Sequence, residues 1–366
     1  MSMWDLANQY LRSLIPYEPG KPVDDVAREL GLDPKTVIKL ASNENPLGPS
    51  PKAIAAMREA LTGCHIYPDG GAFHLRNALA AKLGVDRTQI ILGNGSNEII
   101  QFAYSAFAAP GRHRALASKW AFVVYKLMAQ LFNVDFVETP DRQFHHDLDA
   151  ILSAITPDTR LIFLANPNNP TGTRIPNADL KAFLKAVPDH VAVFLDEAYQ
   201  EFLLDPPDTI GWLRHHPNLT VFRTFSKAQG LAGLRIGYAV TSPETAEILQ
   251  RTRQPFNVNL LAQVAALAAL HDEDHINATR QITLEGRARL AALFDRLGLR
   301  HLESHGNFIM VQVRDADHVF QSLLRRGIII RSLKSYGLPE WVRVSIGTPD
   351  QMDRFEAEFP ATLPPA

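Results

Sequence analysis

Lys227 has the surroundings of a residue that reacts with carbonyl groups. An apolar, β-prone run at 219–222 leads into it, Thr224 and Ser226 precede it, and a glycine-rich turn separates it from Arg235. A lysine held at the end of a buried strand loses solvation, which lowers the pKa of its amine and makes it a nucleophile toward carbonyls. Hydroxyl groups and a guanidinium are the donors that suit a phosphate dianion. The pattern predicts carbonyl chemistry on a phosphorylated ligand; the alternative is a strand–turn–strand whose lysine reaches solvent.

A carboxylate is predicted at the end of a second buried strand. The run 191–197 is apolar up to Asp196, and Tyr199 follows three residues later. An isolated buried carboxylate is costly, so Asp196 requires a cationic partner. A protonated pyridine nitrogen is one such partner, and Tyr199 is close enough in sequence to reach the same ligand.

The stretch GNGSNE at 93–98 follows an apolar run and opens a helix. Glycines let the backbone direct amide groups toward an anion, and a helix N-terminus adds a favourable partial charge. The stretch lacks the third glycine of a dinucleotide fingerprint, so it predicts a site for a single phosphate. The alternative is a helix that is simply capped by Ser96 or Asn94.

The stretch NPNNPTGT at 166–173 follows another apolar run. Two Asn-Pro steps disfavour helix and force a rigid turn, which would hold the amide of Asn169 in one direction. A plain loop is the alternative. Together, the four stretches offer a nucleophilic amine, a carboxylate, an amide, a phenol and a phosphate site. Pyridoxal 5′-phosphate has a chemical group for each of them, and a lysine with an acidic partner for the ring nitrogen is its usual protein setting.

Short apolar runs that alternate with helical patterns must position these residues. Such runs, apolar on both faces, predict an α/β fold with a mostly parallel sheet covered by helices on both sides. Ligands of such sheets lie beyond the carboxyl ends of the strands, which is where the polar stretches fall. After about residue 260 the pattern changes to a helix-rich segment and three further strands, at 308–313, 327–332 and 341–347. We therefore expect a large domain at 46–260 and a smaller α+β domain made of 1–45 and 261–366.

Composition excludes several classes of protein. The 366 residues are 46% hydrophobic with a net charge of −2 and no basic block, which argues against a nucleic-acid surface. The longest apolar stretch, 260–270, is too short to span a bilayer. The single cysteine, Cys64, cannot form an internal disulfide, and the start lacks a secretion signal, so we expect a cytoplasmic protein. The pairs His145-His146 and His215-His216 lack carboxylate or cysteine partners at ligand spacing, so no metal site is expected.

Motifs along nearly the whole chain are similar to those of one enzyme family. They are NENPLGPSP, YPDGG, GNGSNEII, AFVVY, NPNNPTGT, LDEAY, TFSKAQGLAGLRIGY and VRVSIGT. A lysine followed eight positions later by an arginine, with the asparagine and aspartate upstream in this order, is a specific combination. The chain resembles the fold-type-I, pyridoxal-phosphate-dependent aminotransferases, most closely the histidinol-phosphate branch of their class II. The resemblance implies a large domain with a seven-stranded sheet.

The resemblance also implies a role for each site residue. Lys227 would bind the cofactor covalently and carry the proton at the substrate α-carbon, and Asp196 would keep the ring nitrogen protonated. Asn169 and Tyr199 would hydrogen-bond the ring oxygen, and Phe122 would stack on the ring face. The residues implied for the phosphate are Gly95, Ser96, Asn97, Thr224, Ser226 and Arg235, together with Tyr67 reaching over from the neighbouring subunit of a homodimer with shared active sites.

For the substrate, Arg343 matches the arginine that binds the α-carboxylate in related aminotransferases. In the histidinol-phosphate branch it is similar to one of a pair, with Arg331, that binds the phosphate of the amino donor with the help of Tyr17. Two arginines and a phenol suit a dianion better than a carboxylate; alternatively, Arg331 is a surface residue. The implied reaction transfers an amino group between L-histidinol phosphate and 2-oxoglutarate. An aromatic-amino-acid aminotransferase, a threonine-phosphate-type decarboxylase and a regulator without turnover are the alternatives. The chain departs from the family pattern at Gln229 and at 118–120, both of which we expect near the cofactor.

Overall fold

The computed structural model describes residues 1–14 and 20–364. Its strands are β1 (Ile38–Lys39), β2 (Ile90–Gly93), β3 (Arg114–Ser118), β4 (Asp135–Thr139), β5 (Asp141–Arg142), β6 (His145–His146), β7 (Thr159–Ala165), β8 (Ala192–Asp196), β9 (Leu219–Thr224), β10 (Gly237–Val240), β11 (Phe308–Gln312), β12 (Ile328–Ile329), β13 (Arg331–Ser332) and β14 (Trp341–Ser345). Its α-helices are α1 (Met3–Leu6), α2 (Val23–Leu30), α3 (Pro51–Ala60), α4 (Phe73–Leu83), α5 (Ser96–Phe107), α6 (Val124–Leu131), α7 (Leu148–Ser153), α8 (Asn177–Ala186), α9 (Thr209–Trp212), α10 (Pro243–Gln250), α11 (Leu260–Ala269), α12 (Glu273–Arg296), α13 (Ala316–Arg325) and α14 (Pro349–Glu358).

Seven strands form the large sheet, in the order β2-β10-β9-β8-β7-β3-β4. All neighbours pair in parallel except β10, which is antiparallel to both β2 and β9. The mostly parallel sheet predicted from the apolar runs is thus confirmed. The runs are apolar on both faces because each face of the sheet is covered: α3, α4, α8 and α11 contribute to one core, and α5, α6 and α10 to the other.

The C-terminal part has its own sheet and core. Strands β11, β14 and β13 form an antiparallel sheet, and α12, α13 and α14 supply buried residues to the core beside it. Strand β1 pairs in parallel with β12, and Ile38 and Leu40 join the same core. The N-terminal arm is therefore attached to this part of the molecule. The division at 45/46 and 260/261 stays a prediction; helix α11 packs its alanines into the core of the large sheet.

One strand expectation was wrong in detail. The run 327–332 was predicted to be a single strand, but β12 pairs with β1 whereas β13 pairs with β14. The buried Ile330 lies between the two pieces, where the chain leaves one sheet and enters the other. This transition brings Arg331 into register with Arg343 on β14.

The carboxyl ends of β7, β8 and β9 lie side by side in the large sheet. Ala165 is in register with Asp196, and Asp196 is in register with Phe222. Because these strands are parallel, the loops that follow them emerge at one edge. The sheet therefore brings the stretch at 166–173, Asp196 and the segment around Lys227 together. Among the residues that the structure describes, no helix is both long and apolar enough to cross a membrane.

The turn that follows Lys227 is packed tightly against the loop before α3. Gly230 adopts a left-handed conformation with φ +71°, and a β-carbon there would overlap the backbone of Gly48. The Ser50 N–H also donates to the Gln229 carbonyl at 3.4 Å. Gly230 is thus required both for its backbone angle and for the close approach of two loops.

This packing predicts the effect of Gly230→Ala, with Gly298→Ala as the matched control. Both glycines have positive φ, but a β-carbon at Gly298 meets no atom within 4 Å. Each substitution should cost about 1–2 kcal/mol for the left-handed backbone. Gly230→Ala should lose roughly 1–3 kcal/mol more because it overpacks a backbone contact. Urea unfolding measures both free energies; equal losses would show that the contact with Gly48 does not constrain the turn.

Candidate active site

A cavity of about 300 Å³ opens at the carboxyl edge of the large sheet. Its lining contains most of the residues predicted from the sequence: Ser96, Asn97, Phe122, Asn169, Asp196, Tyr199, Thr224, Ser226, Lys227, Arg235, Arg331 and Arg343. It also contains residues from the N-terminal arm, among them Ser42, Asn43 and Glu44. The cavity is therefore built jointly by the large sheet, the N-terminal arm and the C-terminal sheet.

Lys227 lies in the turn after β9 and projects into this cavity. Its Nζ is 3.3 Å from the Ser42 carbonyl and 5.7 Å from the centre of the Tyr199 ring. Burial lowers the pKa of Lys227 to about 8; Arg343 and Arg235 lower it further, whereas Glu44 and Asp196 oppose the shift. Roughly a tenth of the amine is then unprotonated at pH 7, far more than for an ordinary lysine. The amine is thus suited to attack a carbonyl near neutral pH.

Asp196 lies at the floor of the cavity, at the end of β8. Its Oδ2 accepts a hydrogen bond from the Tyr125 hydroxyl at 2.8 Å, and its Oδ1 accepts one from the Ala198 N–H at 3.0 Å. Burial raises the pKa of Asp196 to about 6, and these two hydrogen bonds oppose the rise. The carboxyl is therefore mostly ionised at pH 7, and it presents a negative charge that a cationic ligand group would neutralise.

The Tyr199 hydroxyl is oriented by Asn43. The Asn43 Nδ2 donates to the Tyr199 oxygen at 2.9 Å, and the Asn43 Oδ1 accepts from the Ser345 hydroxyl at 2.8 Å. Burial raises the pKa of Tyr199 to about 12, so the phenol keeps its proton. Because its oxygen already accepts a hydrogen bond, Tyr199 is left to act as a donor.

Asn169 is oriented in a comparable way from the opposite side. Its Oδ1 accepts a hydrogen bond from Nη1 of the buried Arg343, whose Nη2 donates to the Ala41 carbonyl at 2.6 Å. With its oxygen engaged, the side chain of Asn169 has its amide protons left to donate. Asn169 and Tyr199 thus provide two hydrogen-bond donors to one cavity, an arrangement that suits a ring oxygen.

Anion-binding groups line the other end of the cavity. Helix α5 begins at Ser96 after Gly95, and no side chain caps it, so the predicted alternative of a cap by Ser96 or Asn94 is wrong. Its first N–H groups have no partner within the helix and carry partial positive charge. Nearby, the Thr224 hydroxyl donates to the Ser226 hydroxyl at 2.9 Å.

Arg235 completes this end of the cavity. Its Nη1 lies 3.0 Å from the Ala232 carbonyl and 3.5 Å from the Ser226 hydroxyl. Gly95 does not line the cavity but lies directly under the guanidinium, which a β-carbon at that position would overlap. The absence of a side chain at Gly95 therefore lets an arginine approach the start of α5, and these donors together are of the kind that suits a phosphate.

Phe122, Arg331 and Arg343 also line the cavity. Phe122 follows β3 and packs edge-on against Tyr125, with ring centres 5.7 Å apart and an interplanar angle of 87°. Arg331 and Arg343 are register partners on β13 and β14, and both line the cavity. Arg331 is not simply a surface residue, because it lines the same cavity as Lys227.

Four expectations have a different outcome or stay predictions. Tyr67 does not line the cavity: it is 80% exposed and stacks on Phe256, with ring centres 4.8 Å apart. Tyr17 lies outside the described residues. Gln229 points away from the cavity, with its Nε2 3.3 Å from the Glu201 carboxylate. The stretch at 118–120 lines an adjacent cavity that shares Phe122 and Tyr336 with the first.

Sequence reasoning missed Asn43, Glu44, Tyr125 and Tyr336. Asn43 belongs to a motif that was noticed, and its left-handed φ of 53° fits the tolerance of asparagine for that conformation. Tyr125 also stands in a recognised motif, three residues after Phe122. No periodicity distinguishes these residues from their neighbours, and Asn43 and Tyr125 reach the site only through hydrogen bonds to Tyr199 and Asp196, which are distant in sequence.

Comparisons with known proteins agree with this geometry. A sequence model of the family described as aminotransferase class I and II matches residues 35–358. The chain is 48% identical to histidinol-phosphate aminotransferase of Akkermansia muciniphila, over 97% of this chain and 98% of that protein. It is 51% identical to histidinol-phosphate aminotransferase 2 of Ralstonia nicotianae, over 94% and 93% of the two chains.

A solved structure extends the agreement to three dimensions. The histidinol-phosphate aminotransferase of Sinorhizobium meliloti, solved in complex with pyridoxal-5′-phosphate, superimposes with a TM-score of 0.88 at 28% identity. The superposition covers 96% of each chain. By sequence and by fold, this chain belongs to the class I and II aminotransferases and, within them, to the histidinol-phosphate aminotransferases.

Proposed function

We propose that this protein transfers an amino group between L-histidinol phosphate and 2-oxoglutarate, giving imidazole-acetol phosphate and L-glutamate, with pyridoxal 5′-phosphate as its cofactor. The observation that carries the proposal is the convergence of Lys227, Asp196 and the arginine pair Arg331 and Arg343 on one cavity. The relatives that match over nearly the full length bear the same enzyme name. Transamination with one cofactor proceeds in two half-reactions, so we expect ping-pong kinetics.

The side chains present fit each group of pyridoxal phosphate. The amine of Lys227 suits its aldehyde, Asp196 its ring nitrogen, and the donors Asn169 and Tyr199 its ring oxygen. The uncapped start of α5 with Arg235 above it is a cradle for the phosphate. The residues proposed to hold the phosphate are Gly95, Ser96, Asn97, Thr224, Ser226 and Arg235, and Phe122 is proposed to cover the ring face.

The cofactor supplies an aldehyde and a protonated ring that withdraws the electron pair left when the substrate α-carbon loses its proton. Lys227 would accept that proton at Nζ and return it, because its pKa of about 8 lets it exchange protons near neutral pH. Asp196 would hold the proton on the ring nitrogen through its negative charge. Tyr199 and Asn169 would fix the ring by hydrogen bonds, and the walls from the N-terminal arm would limit the access of water.

The arginine pair supports a phosphorylated amino donor. Arg343 is buried and braced by Asn169 and the Ala41 carbonyl, so its guanidinium is already oriented. Arg331 faces it across the β13–β14 pair. Two guanidinium groups on one wall match the double charge of a phosphate ester and exceed what a single carboxylate needs. A single carboxylate of glutamate or 2-oxoglutarate needs only one guanidinium in the second half-reaction, and the buried Arg343 would supply it.

We further propose a homodimer in the cytoplasm. Tyr67 and its stacking partner Phe256 are exposed, and Leu61, Ile66 and Phe73 also expose more than half of their surface. A group of exposed apolar side chains of this kind is typical of a surface that contacts another chain. In a dimer, Tyr67 would then reach the phosphate cradle of the partner subunit, which explains why it is absent from the cavity of its own chain.

Lys227→Ala should abolish covalent attachment of the cofactor and transamination while the protein still folds, because Lys227 projects into the cavity and is not part of an apolar core. Purified protein is incubated with pyridoxal phosphate, treated with borohydride, and mapped by mass spectrometry. The wild type should carry the label on Lys227. Lys334→Ala, which removes an exposed lysine paired with Asp317, is the control and should behave like the wild type. A label on another lysine, or normal turnover by Lys227→Ala, would refute the assignment.

Arg331→Ala should discriminate between donors. Loss of hydrogen bonds to a charged group costs about 1.5–3 kcal/mol, so kcat/KM for histidinol phosphate should fall roughly 10- to 100-fold. Glutamate should be affected much less. Conversion of the cofactor to its amine form is followed by absorbance for histidinol phosphate, phenylalanine, tyrosine, threonine phosphate and glutamate. Arg325→Ala is a control on the neighbouring helix α13. An equal loss for glutamate would remove Arg331 from the phosphate-binding role, and a preference for phenylalanine or tyrosine would favour an aromatic-amino-acid aminotransferase.

Mixing two inactive or weakened variants tests the shared active site. Consider a heterodimer of one chain with Lys227→Ala and one chain with Tyr67→Phe. If Tyr67 contributes to the cavity of the partner subunit, one active site of this heterodimer carries both substitutions and the other carries neither. Activity of the mixture should then exceed the sum of the two separate variants. No gain, in a mixture whose heterodimers are verified by native mass spectrometry, would place Tyr67 outside the partner's site.

A further inference from the structure

The Asp196 carboxylate is held from behind by Tyr125. The Tyr125 hydroxyl donates to Oδ2 of Asp196 at 2.8 Å, and the side chain of Tyr125 is fully buried. Tyr125 is not part of the cavity lining, so it contacts neither the space for the cofactor nor the space for the substrate. Any influence that it has on the reaction must therefore act through Asp196.

The position of this phenol is strongly constrained. Helix α6 supplies Tyr125, whose backbone carbonyl accepts a hydrogen bond from the Tyr104 hydroxyl at 2.8 Å. Its ring stacks on Phe163 with centres 4.9 Å apart and an interplanar angle of 13°. Phe122, which lines the cavity, also packs against Tyr125 in an edge-to-face arrangement. A side chain restrained in this way delivers its hydrogen bond without a large entropic cost at the time of reaction.

We propose that Tyr125 is a positioning residue that keeps Asp196 ionised and aimed at the ring nitrogen of the cofactor. The inference rests on the proposed function, since it concerns the partner of that nitrogen. The side-chain carboxylate of Asp196 accepts one hydrogen bond at each oxygen, from the Tyr125 hydroxyl and from the Ala198 N–H. Removing the Tyr125 hydroxyl would take this donor away from Oδ2 of Asp196. Because the carboxylate is buried, its ionised form would then be less stable.

The surrounding charges determine the direction of the effect. The ionisable groups that act on Asp196 are Tyr125 from α6, Glu197 next in the chain, Lys227 from the turn after β9, and Tyr199. Burial raises the pKa of Asp196 to about 6, Tyr125 and Lys227 oppose that rise, and Glu197 adds to it. Burial also raises the pKa of Tyr125 well above its ordinary value, so the phenol remains a donor.

These charges determine the direction in which the pKa of Asp196 changes when the Tyr125 hydroxyl is removed. Without the Tyr125 hydroxyl, the pKa of Asp196 rises further. A more basic carboxylate takes a larger share of the proton that it shares with the ring nitrogen. The ring nitrogen then becomes less protonated, and its ability to withdraw electrons falls.

Tyr125→Phe tests the proposal because it removes one oxygen atom and keeps the stacked ring. The matched control is Tyr104→Phe, which removes the hydroxyl of a neighbouring, equally buried tyrosine that bonds to a backbone carbonyl and not to Asp196. Each holoenzyme is loaded with pyridoxal phosphate labelled with ¹⁵N in the ring, and the nitrogen resonance is recorded against pH. Thermal unfolding measures the stability of each variant, and kcat and KM are measured in parallel.

In Tyr125→Phe the ¹⁵N resonance should move toward the unprotonated position, and the midpoint of its titration should change. The kcat should fall about tenfold, with little change in KM because Tyr125 does not line the cavity. Tyr104→Phe should lose stability but keep the wild-type resonance. If both variants keep the wild-type resonance, Tyr125 serves only the packing of α6 and the inference is overturned. Failure of the wild-type protein to bind the labelled cofactor would instead overturn the proposed function, so the two failures are distinguishable.

Discussion

A carboxylate buried at the end of a central strand is the constraint on which the active site depends. Asp196 loses most of its hydration at the end of β8, and its charge is maintained by the Tyr125 hydroxyl and the Ala198 N–H. Burying a charge in this way is costly unless the site offers compensation. The positive charge of Lys227 also favours the ionised form of Asp196, and the protonated ring nitrogen of the proposed cofactor would be a second cation beside it.

The second requirement is that two parts of the chain meet across the cavity. Asn43 connects Tyr199 of the large sheet to Ser345 of the C-terminal sheet, and Arg343 connects Asn169 to the Ala41 carbonyl. The same contacts that join the N-terminal arm to both sheets thus orient Tyr199 and Asn169, the two donors proposed for the ring oxygen. Stability and catalysis depend here on shared hydrogen bonds, and a change in the arm should affect both.

Next to Asp196 a second buried carboxylate has a structural role. Glu197 pairs with Arg223 on β9 at 2.8 Å and accepts a hydrogen bond from the Thr209 hydroxyl at 2.7 Å. Adjacent residues in a loop leaving a strand point in different directions, so one carboxylate faces the cavity and the other faces the protein. Arg223 thus neutralises Glu197, whereas Lys227 and the Tyr125 hydroxyl act on Asp196.

The sequence by itself determined the parallel sheet, the order of its polar loops and the identity of the groups that surround Lys227, because buried strands and Gly- or Pro-rich turns are encoded by neighbouring residues. Only the tertiary structure decided the rest. It placed Asn43 against Tyr199 and brought Arg331 opposite Arg343, and it put Tyr125 behind Asp196. It also left Tyr67 on the surface. The hydrogen bonds of Asn43 and Tyr125 join residues that are 156 and 71 positions apart, and their energies depend on packing geometry that no local pattern contains.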